Sequence, residues 1–503
     1  MGEPMERRTL LRGLVGVPLG AMTLISGTGR SWAGQPIGTI EVKPPAPNVE
    51  WTRHWEGWGT TLGWWANRIG PRDDLSDLLF TRNTVPFLGH QLPGLGMNIV
   101  RYCAGGSGSN TIGSRKMASP LDGFKKIEGF QLDWNSDDPS SSSFDWTLDA
   151  KQRGVLQQAK ARGVDTFELF ANSPMWWMLK NDNPEGAADG LCNLQDGNFD
   201  RHAAYLATVA RYAHDHWGID FASVQPFNEP GLNWGNKAVM DTTQEGCYYT
   251  HAQQADLIRR TRAQLDVRGL TGTLVAGLDE NGTALARDTW TSPEFDDVTK
   301  AAVGRVNVHG YDELGGDRVG LYDAVSADGK RIWNSEYGDG WAHGLALAEN
   351  LHADLHLLHP SAWVAWQILD WHGFGAINFD SGELVEVNPK YWVLAQYMRH
   401  IRPGMTIMDT GHNNAVAAYD AVNHKLVVVA YLLEDAQWLT FDLSAFSQPG
   451  VHGAAVKRWV TGVGAGDGQR YQYYADTVMN GGRFWSDCGA YSVQTFEVSD
   501  VHL

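Results

Sequence analysis

The run VQPFNEP, residues 224–230, leads from an apolar segment into a polar tail closed by proline, and seven other segments of the chain share that design. They end at EGWG (56–59), NIVRYCAGG (98–106), TFELFANSP (166–174), TLVAGLDEN (273–281), RVNVHGYD (305–312), RIWNSEYG (331–338) and WVAWQILDW (363–371). Longer amphipathic stretches separate them, for example Phe199 to Trp217 and Trp341 to Leu358. Short apolar runs alternating with helical ones predict an α/β fold, and eight such units across residues 51–403 predict a (β/α)8 TIM barrel. In such a barrel the strand tails face one cleft.

After Pro403 the pattern changes to short alternating runs, AVAAYD, LVVVAYLL, WLTFDL, KRWVTG and SVQTFEV, broken by Gly, Asn and Asp. This predicts an attached C-terminal antiparallel β-sandwich over residues 404–503. Residues 34–50, with Pro44, Pro45 and Pro47, are expected to be extended and to join the sandwich as an edge. At the N-terminus, Arg7 and Arg8 precede an uncharged run, Gly13 to Gly29, too short to cross a bilayer. Ser31-Trp32-Ala33 then offers small residues at the third-last and last positions before a cut. Residues 1–33 therefore resemble a twin-arginine-type signal peptide, which implies a secreted chain with no membrane association.

Forty Lys and Arg against 58 Asp and Glu give a net charge of −18. With no basic run, a nucleic-acid partner is not expected. Tryptophan is unusually frequent, 22 against 17 Phe and 16 Tyr, and flat rings suit stacking on sugars. Cys103, Cys192, Cys247 and Cys488 form no CxxC pattern, so free thiols or one disulfide are expected and no metal. His352, His356 and His359 have helical spacing, but Ala353 stands where a zinc protease would carry Glu. The absence of a GxSxG elbow, a GxGxxG turn and a GxxxxGK[ST] loop leaves serine hydrolase, dinucleotide and nucleotide readings unsupported, and no cofactor is expected.

Two carboxylates close strands in polar or aromatic company, Glu229 in strand 4 and Glu336 in strand 7. Retaining glycoside hydrolysis needs an acid to protonate the leaving oxygen and a carboxylate to attack the anomeric carbon, with the two groups about 5–5.5 Å apart. Asn228 can bond a sugar 2-hydroxyl, which favours Glu229 as acid/base and Glu336 as nucleophile, kept ionised by Arg101 and Tyr311. Further substrate contacts are expected from Trp58, Asn172, Trp176, His309 and Trp366, all in or just beyond predicted strand ends. Asp279, Asp312 and Asp370 are expected to orient loops or bind hydroxyls. Trp438, Trp459 and Trp485 are the sandwich residues that could meet sugar.

These motifs resemble glycoside hydrolase family 30, a family of retaining hydrolases. FNEP with Asn228 and Glu229 is similar to the family's acid/base motif, and WNSEYG with Glu336 to its nucleophile strand. KYWVLAQYMRHIRPG, 390–404, is similar to the last barrel helix entering the family's sandwich. Within the family, WEGWGTTLGWWANRIGPRDDLSDLLFT (55–81) and GLGMNIVRYCAGGSG (94–108) resemble endo-β-1,6-galactanases. That resemblance implies an enzyme acting on a polysaccharide, the β-1,6-galactan side chains of arabinogalactan; the chain is expected to be a monomer. The alternatives are another specificity of the family, exo-β-1,6-galactobiohydrolase, β-1,6-glucanase or xylanase, or a non-catalytic carbohydrate-binding protein.

Overall fold

The computed structural model describes residues 38–44 and 54–503 apart from 120, 122, 241, 242, 381 and 465–467. The expected signal segment, 1–33, lies outside the described residues, as does 45–53. Eight parallel strands close a barrel: β1 (Gly57–Thr61), β2 (Ile99–Cys103), β3 (Thr166–Phe170), β4 (Phe221–Gln225), β5 (Leu274–Glu280), β6 (Val303–His309), β7 (Ile332–Tyr337) and β8 (Ala362–Ala365). A helix follows each strand in turn: α1 (Asp73–Phe80), α2 (Ala150–Ala161), α3 (Phe199–Tyr212), α4 (His251–Val267), α5 (Thr283–Trp290), α6 (Arg318–Ala327), α7 (Leu345–Ala353) and α8 (Pro389–Met398). Strands covered by helices outside and by one another inside are buried on both faces. All residues of β1, β2 and β7 are accordingly buried.

Local chemistry sets the helix limits. Thr250 and Gln253 form a reciprocal capping box that starts α4. α7 begins at Leu345 rather than Trp341, because Gly344 adopts a left-handed conformation (φ 78°) that ends the preceding turn. Inside the barrel, Ile99, Trp333, Ala362 and Val364 form one apolar cluster. A charged layer lies against it, with the Arg305 guanidinium 3.3 Å from the centre of the Trp333 ring. Glu168 there accepts bonds from Arg101 Nε (2.8 Å), Ser223 Oγ (2.7 Å), Asn307 Nδ2 (2.9 Å) and the Arg305 guanidinium. A lone buried carboxylate would be prohibitive, but this one is fully partnered.

The C-terminal domain pairs β9 (Thr406–Met408), β10 (Ala415–Asp420), β11 (Lys425–Leu432), β12 (Gln437–Asp442), β13 (Ala455–Gly462), β14 (Gln472–Val478), β15 (Arg483–Cys488) and β16 (Ser492–Val498). One sheet has the order β9-β10-β11-β16-β13-β14; the other joins β12, β15 and a short strand, Thr39–Glu41, parallel to β12. The fold is thus the expected barrel with an antiparallel sandwich. Phe441 and Phe484 stack at 4.5 Å and meet Phe496 of the opposing sheet, while Ile40 and Val42 join the same core. Apolar packing continues from α8 into the sandwich through Tyr397, Val427, Val429, Tyr431 and Val493. Gln396 of α8 adds bonds to Thr461 (2.8 Å) and from Thr495 (2.6 Å).

Candidate active site

The tails of β4 and β7 bring Glu229 and Glu336 together. One carboxylate oxygen from each and a ring nitrogen of His309 all lie within 4.8 Å of one another. Glu229 has a positive φ of 44°, and its backbone N–H donates to the carbonyl of Asp279 (2.9 Å). Leu278 and Asp279 are also left-handed (φ 73° and 50°), where β5 bulges against β6. Strained backbone of this kind persists where surrounding structure enforces it, and clusters at functional sites. Here it aims the Glu229 side chain, whose Oε1 accepts from Asn281 Nδ2 (2.7 Å) and His309 Nδ1 (3.0 Å).

Glu336 has a different set of donors. Tyr311 Oη donates to its Oε1 (3.0 Å), and Arg101 Nη1 reaches its Oε2 (3.3 Å). Burial pushes Glu336 up to about 7; the nearby Glu229 charge adds to that rise, while His309 and Arg101 oppose it. Two carboxylates this close cannot both ionise easily, so the pair retains a proton toward neutrality. His309 moves up to about 10: burial opposes its charge, but Glu336 and Asp279 outweigh burial. Its Nε2 is 3.3 Å from Asp279 Oδ1. Asp279 stays well below the usual carboxylate range despite burial, because Arg101 and His309 flank it. The spacing of Glu229, His309 and Glu336 would also suit a divalent ion, yet a guanidinium and a charged imidazole already supply the local positive charge.

An aromatic wall adjoins the pair. Trp366 packs edge-on to Trp64 (5.1 Å) within a cluster that includes Phe170, and Phe170 lies 4.3 Å from the Arg101 guanidinium carbon. Asn172 Oδ1, Asn228 Oδ1 and Trp64 Nε1 are buried without a hydrogen-bond partner. An unpaired buried polar atom costs about 1–3 kcal/mol, so each of these three would gain from a hydrogen-bonding partner.

The structure therefore brings Arg101, Asn228, Glu229, His309, Tyr311 and Glu336 together, with Asn172 and Trp366 at the strand tails beside them. It places two expected contacts elsewhere. Trp58 pairs in register with Trp363, packs at a tilt against Trp55 and Tyr397, and donates its Nε1–H to the Ile401 carbonyl (2.7 Å). It faces α8 outside the barrel wall, not the cleft. Trp176 is fully buried in a short 3-10 turn beneath the 106–110 segment, against Asn110. Asp279 binds no substrate hydroxyl, being fully enclosed by Arg101, His309 and Ser335. Asp312 braces the start of α5 through Thr283. Asn281 and Glu168 were missed, although Asn281 stands in the β5 tail and Glu168 is a lone charge in an apolar strand. The four cysteines are free thiols, three of them buried.

O-Glycosyl hydrolase family 30 matches residues 52–290, which include the Glu229 tail. The chain is 47% identical over 461 residues to an endo-beta-1,6-galactanase of Hypocrea rufa, covering 91% of this chain and 94% of that protein. A conserved exported protein from Bacteroides fragilis superposes with a TM-score of 0.74 at 18% identity, over 92% of this chain and 100% of that one. A glycoside hydrolase family 30 subfamily 8 xylanase from Clostridium acetobutylicum does so with a TM-score of 0.66 at 19% identity, over 92% and 99%. At those identities the two structures speak for a common fold. Nearly half identity across almost the whole length of a relative, with the family's pattern running through the Glu229 strand, means that this chain belongs to glycoside hydrolase family 30.

Proposed function

We propose that the protein is a retaining endo-β-1,6-galactanase that cleaves the galactan side chains of arabinogalactan. The observation that carries this reading is the 47% identity to an endo-beta-1,6-galactanase across 91% of the chain. The close carboxylate pair supports a double displacement. Retaining enzymes hold their carboxyl groups about 5–5.5 Å apart, and here the nearer oxygens fall within 4.8 Å.

Glu336 attacks the anomeric carbon while Glu229, as acid, gives its proton to the departing glycosidic oxygen. The covalent galactosyl ester on Glu336 is then hydrolysed by water that Glu229, now a base, deprotonates. Arg101 and Tyr311 hold Glu336 on line and stabilise the carboxylate when it leaves the sugar. Asn281 and His309 fix Glu229. Asn228 and Asn172 offer free carbonyl oxygens to sugar hydroxyls, and Trp366 forms the apolar wall. Export of a monomeric enzyme through a twin-arginine-type signal completes the reading; Arg7, Arg8 and the uncharged run behind them support the export step.

The test is product release from arabinase-trimmed arabinogalactan, glucuronoxylan and β-1,6-glucan, resolved by size, for wild type and Glu336→Ala. Short β-1,6-galacto-oligosaccharides of several lengths, lost in the variant, are expected. Disaccharide alone would indicate exo action, and activity confined to xylan or glucan would overturn the specificity.

A further inference from the structure

The helices of a (β/α)8 barrel run back from the catalytic face, so their C-terminal ends lie at the opposite end of the barrel from Glu229 and Glu336. Just past the ends of α1 and α8, where barrel meets sandwich, a groove of about 440 Å³ is lined by Arg82, Arg399, Lys457, Trp459, Tyr471 and Glu497. That volume is within the roughly 300–1,000 Å³ usual for small-ligand sites. None of its residues serves the catalytic cleft.

The groove is positively charged in a chain of net charge −18. Among the described residues, Arg82, Arg399 and Lys457 have no carboxylate within ion-pair distance. Arg399 spends its donors on neutral oxygens, the Tyr471 hydroxyl (3.0 Å) and the carbonyls of Arg82 and Gly94. Behind them Arg402 is lowered to about 10 by burial and by the charges of Arg82 and Arg399. Glu497 is the one acid lining the groove, and it is already engaged by His400 (2.9 Å) and Lys425 (3.1 Å). The cations therefore repel one another, and an incoming anion would relieve that repulsion.

Aromatic rings form the rest of the wall. Trp459 and Tyr471 are half-buried and nearly parallel, 27° apart with centroids at 6.3 Å. Tyr471 is fixed by donating to His400 Nε2 (2.6 Å), and His400 packs under Trp459 at 4.4 Å. Such rings are preorganised to receive an apolar ring face.

We propose that this groove is a second saccharide site, taking a carboxylate-bearing sugar, a uronate unit of a polysaccharide, with its ring against Trp459 and Tyr471 and its carboxylate among Arg82, Arg399 and Lys457. Cations alone would serve any anion and rings alone any sugar; the two together select an acidic sugar. Such a site would hold an acidic polymer at a distance from the cleft. It does not depend on the specificity proposed for the cleft, since binding is read without turnover.

The experiment is isothermal titration at low ionic strength of the full-length chain carrying Glu336→Gln, with a trigalacturonate, a β-1,6-galactotriose and inorganic sulfate as separate titrants. Trigalacturonate should bind, and the double variant Arg82→Gln/Lys457→Gln should weaken it by at least about tenfold, as should Trp459→Ala. Trp459→Phe should retain binding, which separates loss of stacking from loss of folding. Galactotriose binding should be unaffected by these changes, and without Glu336→Gln the same groove variants should turn over short neutral oligosaccharides as wild type does. No trigalacturonate binding, or binding untouched by the double variant, would overturn the proposal. So would sulfate binding as tightly as trigalacturonate with no effect of Trp459→Ala, which marks a plain anion site.

Discussion

Asp279 Oδ2 stands 2.7 Å from Arg101 Nη2, both residues fully buried, while Oδ1 of the same carboxylate accepts from Ser335 (2.6 Å) and approaches His309 Nε2. One carboxylate thus anchors both cations that face the glutamate pair. Asp279→Asn keeps the shape but removes the charge that holds Arg101 and His309. Breaking a buried ion pair costs about 3–5 kcal/mol of stability. Loss of a positioned electrostatic group lowers turnover on the order of 10²–10³-fold. We expect kcat to fall far more than KM changes, in a variant that still melts cooperatively; calorimetry and steady-state kinetics on one preparation check both. Unchanged kcat would remove Asp279 from the catalytic support.

The two glutamates should fail differently. In the proposed mechanism Glu229→Ala removes the proton donor, so polysaccharide cleavage should drop by roughly 10²–10⁴-fold. An aryl galactoside with a good leaving group needs no acid, and it should still load Glu336 and show a burst of released phenol. Glu336→Ala should show no burst on any substrate. Rapid-quench measurement of the burst distinguishes the roles, and a burst in Glu336→Ala would reverse the assignment.

The carboxylate pair was legible because Glu336 closes an apolar strand and Glu229 stands in the polar tail just beyond another, and a barrel of this kind gathers its strand tails around one cleft. Tryptophan carried no comparable signal. β1 is buried on both faces, so alternation cannot tell which side of the barrel wall Trp58 takes; only its register with Trp363 and its bond to Ile401 reveal that. Trp176 follows its strand as expected, but the 3-10 turn at Trp176–Met178 rolls it under a neighbouring loop. The expectation that Asp279 orients a loop or binds a hydroxyl misses its enclosed position, because the bulge between Leu278 and Glu280 that turns it inward depends on pairing with β6.

The sandwich seam should be acid-sensitive. His400, Lys425 and Glu497 meet there, and although burial opposes its charge, bonds from His400 and Lys425 hold the Glu497 carboxyl down at about 2. A carboxylate whose folded value is depressed stabilises the fold above its unfolded value of about 4.5, and that contribution disappears as pH falls toward 2. With its side chain 14% exposed, the contribution is at most about 2–3 kcal/mol. Glu497→Gln should therefore lower Tm at pH 6 and converge with wild type near pH 2–3. A constant difference across that range would show that the loss is steric.

The proposed double displacement needs one proton on the pair: Glu229 must hold it while Glu336 is charged. Burial and the ionised Glu229 raise Glu336 to about 7, so that value marks loss of the last proton from the coupled pair, whichever oxygen carries it. Below about 7 the pair keeps its acid; above it both carboxylates are charged, and kcat/KM should fall about tenfold per pH unit. His309 remains charged through this range, since its own value is about 10, so the limb belongs to the glutamates. Replacing Glu229 by Gln removes the neighbouring charge that raises Glu336, whose titration should then shift downward. Carboxyl-selective infrared or carbon NMR titration of wild type and Glu229→Gln reads that shift directly, and an unmoved Glu336 would mean that burial alone sets its value.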